Sequence, residues 1–312
     1  MTKPACSVLP SIKLPLSPRA GTVLFWLLLL SLLTVSTLAH SQMPQGPNGS
    51  VNVVATAPDG TVYLGGGFTR WAAQTSGAAL DATDGSVDLA FPRVNGTVRA
   101  VAADDQGGFY IGGDFTQVGS ETRNRLAHIN QHGEVTAWNP EADSTVNALA
   151  ISDDTVYVGG GFTHIGDTVR NRLAAIGTDG ALTAWNPEVS GSAILALAIS
   201  DDGATVYVGG SFTHVNSVVR FRLAAIGTEG IGTLRDWNPN ASTTVNTLAI
   251  SGDTVYVGGD FFNFAGQPRS RLAAISTDGI GTLRDWNPRA NDDVHTLAIS
   301  GDTVYVGGEF TT

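Results

Sequence analysis

The sequence predicts an all-β protein, a β-propeller of four-stranded antiparallel blades, and three recurring phrases predict it. Gly-Gly-x-Phe recurs with its phenylalanine at Phe68, Phe115, Phe162, Phe212, Phe261 and Phe310, at spacings of 47, 47, 50, 49 and 49 residues. Trp-Asn-Pro recurs at Trp138, Trp185, Trp237 and Trp286, with Phe91-Pro92 as a degraded first copy. Between them lies Arg-x-Arg-Leu, starting at Arg123, Arg170, Arg220 and Arg269. Several anchors at one period mark a repeat architecture, in which a unit too small to bury its own apolar face stacks on its neighbours. The repeat domain covers 51–312, as units 51–96, 97–144, 145–192, 193–243 and 244–292 with a partial unit at 293–312.

The third unit shows the expected elements in order. Residues 146–152 (VNALAIS) read as a first strand, and Asp153-Asp154 as a turn. Residues 155–163 (TVYVGGGFT) form a second strand, and a polar loop over 164–171 leads to a third at 172–178 (RLAAIGT). Asp179-Gly180 then turns the chain into a fourth strand at 181–185, which Asn186-Pro187 ends. Asp-Gly between apolar runs is a hairpin signal, because both central residues of the favoured turn take positive φ. Continuous apolar runs belong to sheets covered on both faces. One face of the first strand carries Leu149 and Ile151 and the other Ala148 and Ala150, a bulky face against a small one. That suits sheets stacked on copies of themselves, and a propeller does so radially while leaving only short strand edges. A β-solenoid is the alternative, although its parallel coils need no tight hairpin inside each unit.

The segment before the repeats has a different character. Residues 1–39 hold Lys3, Lys13 and Arg19 and no acid, followed by an apolar run over 23–35 and small residues up to Ala39. This is the pattern of a secretory signal peptide, with cleavage expected after Ala39 and a short linker over 40–50. The expected location is therefore secreted, extracellular or cell-surface, with a signal-anchored membrane protein as the alternative. Without 1–39 the chain holds 14 arginines against 28 acidic residues, a formal charge of −14, and no cysteine. Such a surface repels phosphate backbones, so nucleic acid is not an expected partner. Once the signal is removed, no stable membrane span is expected. Nor can a disulfide staple the fold.

The repeated residues read first as structure. The paired glycines mark a bulge or a close backbone approach, Phe162 and its equivalents pack unit on unit, and Asn-Pro sends the chain to the next unit. The arginines leave two readings open. They form ion pairs with carboxylates of a neighbouring blade, or Arg123, Arg170, Arg220 and Arg269 ring one mouth of the propeller and take an anionic ligand. His164 and His214 share one loop position and are further ligand candidates. Sequons at Asn48, Asn95 and Asn240 all precede a first strand.

Gly-Gly-x-Phe-Thr, a short loop, Arg-x-Arg-Leu-Ala-x-Ile, Asp-Gly and Trp-Asn-Pro together resemble the delta-sixty repeat propellers of bacterial surface and secreted proteins. They are similar, more distantly, to the propeller of fungal cortical cell-polarity markers. The resemblance covers 51–312 and implies a propeller in an exported, multi-module protein, with no catalytic residues to carry over. The first unit departs from it, lacking both the arginine pair and the tryptophan.

Catalysis on a repeat scaffold requires breaks in the repeat. His128 stands where the third unit has Ala175, and His132 where it has Asp179. No nucleophile, base and orienter, nor any three-ligand metal set, falls at a readable spacing, so neither catalytic residue nor metal nor cofactor is expected. The Asp-rich turns at Asp104-Asp105, Asp153-Asp154 and Asp201-Asp202 lack calcium-loop spacing and read as turn formers. The expected function is a non-enzymatic binding, adhesion or scaffolding module with a protein or glycan ligand. An extracellular carbohydrate-active enzyme domain is the alternative. The sixth unit stops at Thr312 after two strands, which gives the expectation of a longer natural chain with further domains and an aggregation-prone edge.

Overall fold

The structure, a computed structural model, describes residues 46–71 and 73–312; the signal segment expected over 1–39, and the linker up to residue 45, lie outside them. Every regular element described is a β-strand. Among the described residues no helix is long and apolar enough to cross a membrane.

Six successive sheets repeat one plan. The first strands are Val51–Thr56, Val98–Ala103, Val146–Ser152, Val189–Ile199, Val245–Ser251 and Val294–Ser300. Each pairs antiparallel with a second strand, namely Val62–Gly66, Phe109–Gly113, Thr155–Gly160, Thr205–Val215, Thr254–Gly259 and Thr303–Gly308. In the first five units a third strand follows on the far side: Gly77–Leu80, Leu126–Ile129, Leu173–Gly177, Leu223–Gly227 and Leu272–Ser276. The second strand is thus central. Its Val-Tyr-Val core is rich in residues that fit a pleated surface, and in the second to fifth units it is buried almost end to end.

Three details differ from the sequence expectation. A regular fourth strand exists only in the first unit, at Val87–Asp88. In the next four it shrinks to one bridge each, Ile129 with Val135, Ile176 with Leu182, Ile226 with Leu234 and Ile275 with Leu283. The polar loop is itself paired, as in the small hairpin His164–Ile165 with Thr168–Val169. The turns of the third unit also use one positive φ rather than two. Asp153 (φ 48°) supplies it in the first turn of the third unit and Gly180 (φ 87°) in the second.

The paired glycines explain how sheet meets sheet. In each first hairpin the register slips by one residue opposite them, a bulge, as between Val146 and Ala148 facing Gly160 and Gly159. A β-carbon on Gly160 would run into the carbonyl oxygen of Thr145. A β-carbon on Gly159 would occupy the space filled by Ile194, the β-branched residue of the next unit. The same device recurs with Val98 over Gly65, Val146 over Gly112, Val245 over Gly209 and Val294 over Gly258. First strands of consecutive units accordingly lie side by side along the series. Phe68, Phe115, Phe162, Phe212 and Phe261 are fully buried, the last four in apolar clusters shared with the preceding unit.

Candidate functional site

Arg123, Arg170, Arg220 and Arg269 sit at the end of the loop that leads into each third strand, and their Nη groups donate to backbone carbonyls, while the Nε of each is buried with no acceptor among the described residues. Each Nη1 donates to the carbonyl of the preceding residue and each Nη2 to a carbonyl beyond the third strand. Those second acceptors are Thr136, Thr183, Arg235 and Arg284, at 2.7–3.3 Å. Arg123 alone has a carboxylate within reach, the exposed Glu121 at 3.8 Å. The side chain thus ties the two ends of its own unit together. In the first unit Gln74 takes the same place, donating to the carbonyls of Asp88 and Phe91.

In three of the four pairs the second arginine reaches the segment where the chain enters the next sheet. Arg125 donates to the carbonyl of Ala142 and Arg172 to that of Val189, both at 2.9 Å, where the chain enters the next sheet. Arg271 meets Asp293 at 3.2 Å, the one neighbour-unit ion pair of the kind expected. All four, Arg125, Arg172, Arg222 and Arg271, hold left-handed backbone at φ 64–68°, as does Ser76 at 60° in the first unit. That conformation costs an L-residue about 1–2 kcal/mol.

His164 and the sequon asparagines Asn48 and Asn95 belong to a clasp before a first strand, whereas in the fifth unit Ser242 rather than the sequon Asn240 accepts the two amides. Asn48 Oδ1 accepts the amides of Thr69 and Arg70, and Asn95 Oδ1 those of Thr116 and Gln117. Asp143 does the same for Thr163 and His164, and its other oxygen accepts the Thr163 hydroxyl and faces His164 Nδ1 at 3.1 Å. His214 Nδ1 lies 2.9 Å from the Thr213 hydroxyl, on a strand that continues where the other units have a clasp. Burial works to raise the Asp143 carboxyl, but the hydrogen bonds from Thr163 and His164 prevail and hold it well below the usual carboxylate range. The sequon asparagines Asn48 and Asn95 therefore have a structural task of their own.

The break at His128 leads to a different place. Along the central strand, Tyr110 pairs with His128, whereas Tyr157, Tyr207 and Tyr256 pair with Ala175, Ala225 and Ala274. The imidazole stacks on the Tyr110 ring at 4.2 Å, and the Trp138 indole meets that ring edge-on at 4.9 Å. His128 Nε2 lies 2.7 Å from Asp104 Oδ2, and Nδ1 lies 3.2 Å from the Thr136 hydroxyl. These groups line a cleft of about 490 Å³ between the second and third units, with Asp105, Asp153, Asp154 and Asp179 around it. No lysine or arginine lines the cleft. Tyr110 is almost wholly buried. Burial first, and the Asp104 charge second, push its ionisation up to about 12, so it stays a neutral donor and acceptor.

Sequence reasoning marked His128 as a break but took Asp104-Asp105 and Asp153-Asp154 as turn formers. Asp104 is that too, accepting the amides of Gln106 and Gly108. Its approach to His128, 24 residues away, depends on strand register. Among the described residues no group of three or more His, Cys, Asp or Glu side chains is placed to hold a metal ion.

No protein-family model and no characterised protein matches the sequence. Solved structures do share the architecture. A chain of Kuenenia stuttgartiensis hydrazine synthase superposes with a TM-score of 0.57 at 14% identity, covering 87% of this chain and 77% of that one. At that identity the likeness speaks for the fold alone.

Proposed function

We propose that this chain is an exported β-propeller that acts as a non-enzymatic binding module, and that its ligand-binding surface is the cleft between the second and third units. The propeller reading rests on six sheets of one plan, each stacked on the next through the same glycine contact. Export rests on the basic, apolar and small-residue pattern of 1–39. The site reading rests on one observation: the repeat is broken at His128, which stacks on the Tyr110 ring and meets the Asp104 carboxylate in the cleft. Five carboxylates with no lining cation suit an ammonium or guanidinium group, such as an exposed lysine or arginine side chain of a partner protein.

The test is calorimetric titration with an arginine- and lysine-rich peptide, compared with neutral oligosaccharides. Asp105, Asp154 and Asp179 changed together to Asn remove three charges while keeping the turn acceptors, so peptide affinity is expected to fall at least tenfold. His128→Ala restores the residue found in the other units and is expected to weaken binding without unfolding the chain. Equal binding by all three proteins would remove the cleft from consideration. Release of product from a polysaccharide would replace the module with an enzyme.

A further inference from the structure

We propose that the loops at the junction of the fourth and fifth units form a second ligand surface, built for a carboxylate-bearing sugar of an acidic polysaccharide. Two aromatic breaks in the repeat carry the inference. Phe221 stands between the paired arginines where other units have Asn124, Asn171 and Ser270. Phe262 follows the buried Phe261 where the other units have Thr69, Thr116, Thr163, Thr213 and Thr311. The two lie in different units, yet the fold brings them to one junction. The Phe221 carbonyl accepts the Ala241 amide at 3.4 Å, and the Phe262 amide donates to Ser242 Oγ at 3.2 Å. Both phenylalanines thus flank consecutive residues of one linking segment. Phe221 is 40% exposed and Phe262 54%, and Val218 and Val219, on the hairpin that precedes Phe221, are 46% and 47% exposed. Single exposed apolar residues are ordinary, but a cluster at positions that other units fill with Asn, Ser or Thr marks a contact surface.

The charge beside these rings names the chemistry of the ligand. Arg125 and Arg172 donate to a carbonyl of the next unit and Arg271 meets Asp293, whereas Arg222 makes no such bond among the described residues. Its guanidinium lies over the Phe221 ring, 5.4 Å from the centroid, and that of Arg271 lies over Phe262 at 4.5 Å. Stacked cations of this kind hold a ring in place. In a chain of formal charge −11, an arginine left with a ring rather than a carboxylate is open to an anion from outside. A guanidinium takes a carboxylate through two parallel hydrogen bonds. The negative face of a phenyl ring attracts the polarised C–H groups of a pyranose. Asn240 and Asn263, exposed beside Ala241 and Phe262, offer amides to its hydroxyls. Rings, a guanidinium and amides together match an acidic sugar better than an apolar peptide, which would cover these polar groups and leave them unpaired.

Calorimetric titration of the full chain with oligogalacturonate and with a neutral galacto-oligosaccharide tests this surface. The acidic oligosaccharide is expected to bind, and the neutral one to bind more weakly. Phe221→Asn with Phe262→Thr restores residues of the other units and is expected to cut affinity for oligogalacturonate by about tenfold or more. Arg222→Gln is expected to abolish the preference for the acidic sugar. Phe262→Tyr keeps a ring and is expected to bind like the unaltered chain, and melting curves show that each variant is folded. No binding of oligogalacturonate, or equal binding by the unaltered chain and the folded double variant, overturns the proposal. So does binding to phosphatidylglycerol vesicles in place of the sugar, because the rings would then serve a membrane. The cleft variant with Asp105, Asp154 and Asp179 changed to Asn is expected to bind oligogalacturonate unaltered. A loss of binding there would move the sugar to the cleft and reject this surface.

Discussion

At the scale of single residues, the repeat uses charge mostly for backbone work. Arg172 lies in left-handed backbone and donates to the Val189 carbonyl, so its two contributions oppose each other. Arg172→Ala loses a charged-donor hydrogen bond, typically about 1.5–3 kcal/mol, and keeps the backbone strain. Arg172→Gly loses the same bond but relieves the strain, so it is expected to melt above Arg172→Ala. The reverse order in calorimetry would mean that the φ of 68° carries no cost. Asp143 gives a pH dependence. Its carboxyl titrates below its unfolded value, so the ionised form favours the fold; that contribution is complete above about pH 4 and is lost as pH falls through the folded value. Asp143→Asn imitates Asn48, Asn95 and Asn291 in other units and keeps the two amide contacts. It is expected to change little at neutral pH and to flatten the fall in melting temperature on acidification. A fall as steep as in the unaltered chain would show that other carboxylates dominate.

At the scale of strands and sheets, the stacking contact is steric. A methyl group on Gly159 has nowhere to go, because Ile194 from the next unit fills the space. Overpacking of this sort costs about 1–3 kcal/mol. Gly159→Ala is therefore expected to lower stability clearly, while Gly307→Ala, crowded only by the Thr296 methyl, is expected to cost much less. Equal losses at both positions, measured by denaturant melts, would contradict the steric account. In the third unit the fourth strand is reduced to one bridge, and the tryptophan beyond it is held by Tyr157 edge-on and by the Gly227 carbonyl of the next unit rather than by a ladder.

For the whole molecule, contacts run between neighbours in the series, so stability is roughly a sum over units and the contacts between them. Salt tests the cleft: binding of a cationic peptide among its carboxylates is expected to weaken as salt rises, and affinity that salt leaves unchanged would contradict the electrostatic account.

The sequence by itself determined the repeat, its period, the first three strands of the first five units and the packing role of the glycines and phenylalanines. All of these are local signals or recurrences, visible without knowing what touches what. The small hairpin in the loop escaped notice because two-residue strands such as His164–Ile165 and Thr168–Val169 are too short to show a period. The arginines were legible as a pattern but not as bonds, since a carbonyl acceptor such as that of Val189 leaves no mark in the side-chain sequence. The first unit looked deficient, yet Gln74 does there what Arg123 does in the second, and Ser76 takes the left-handed backbone of Arg125. Only the tertiary structure brought Asp104 to His128, because their meeting depends on the register of three strands and a turn.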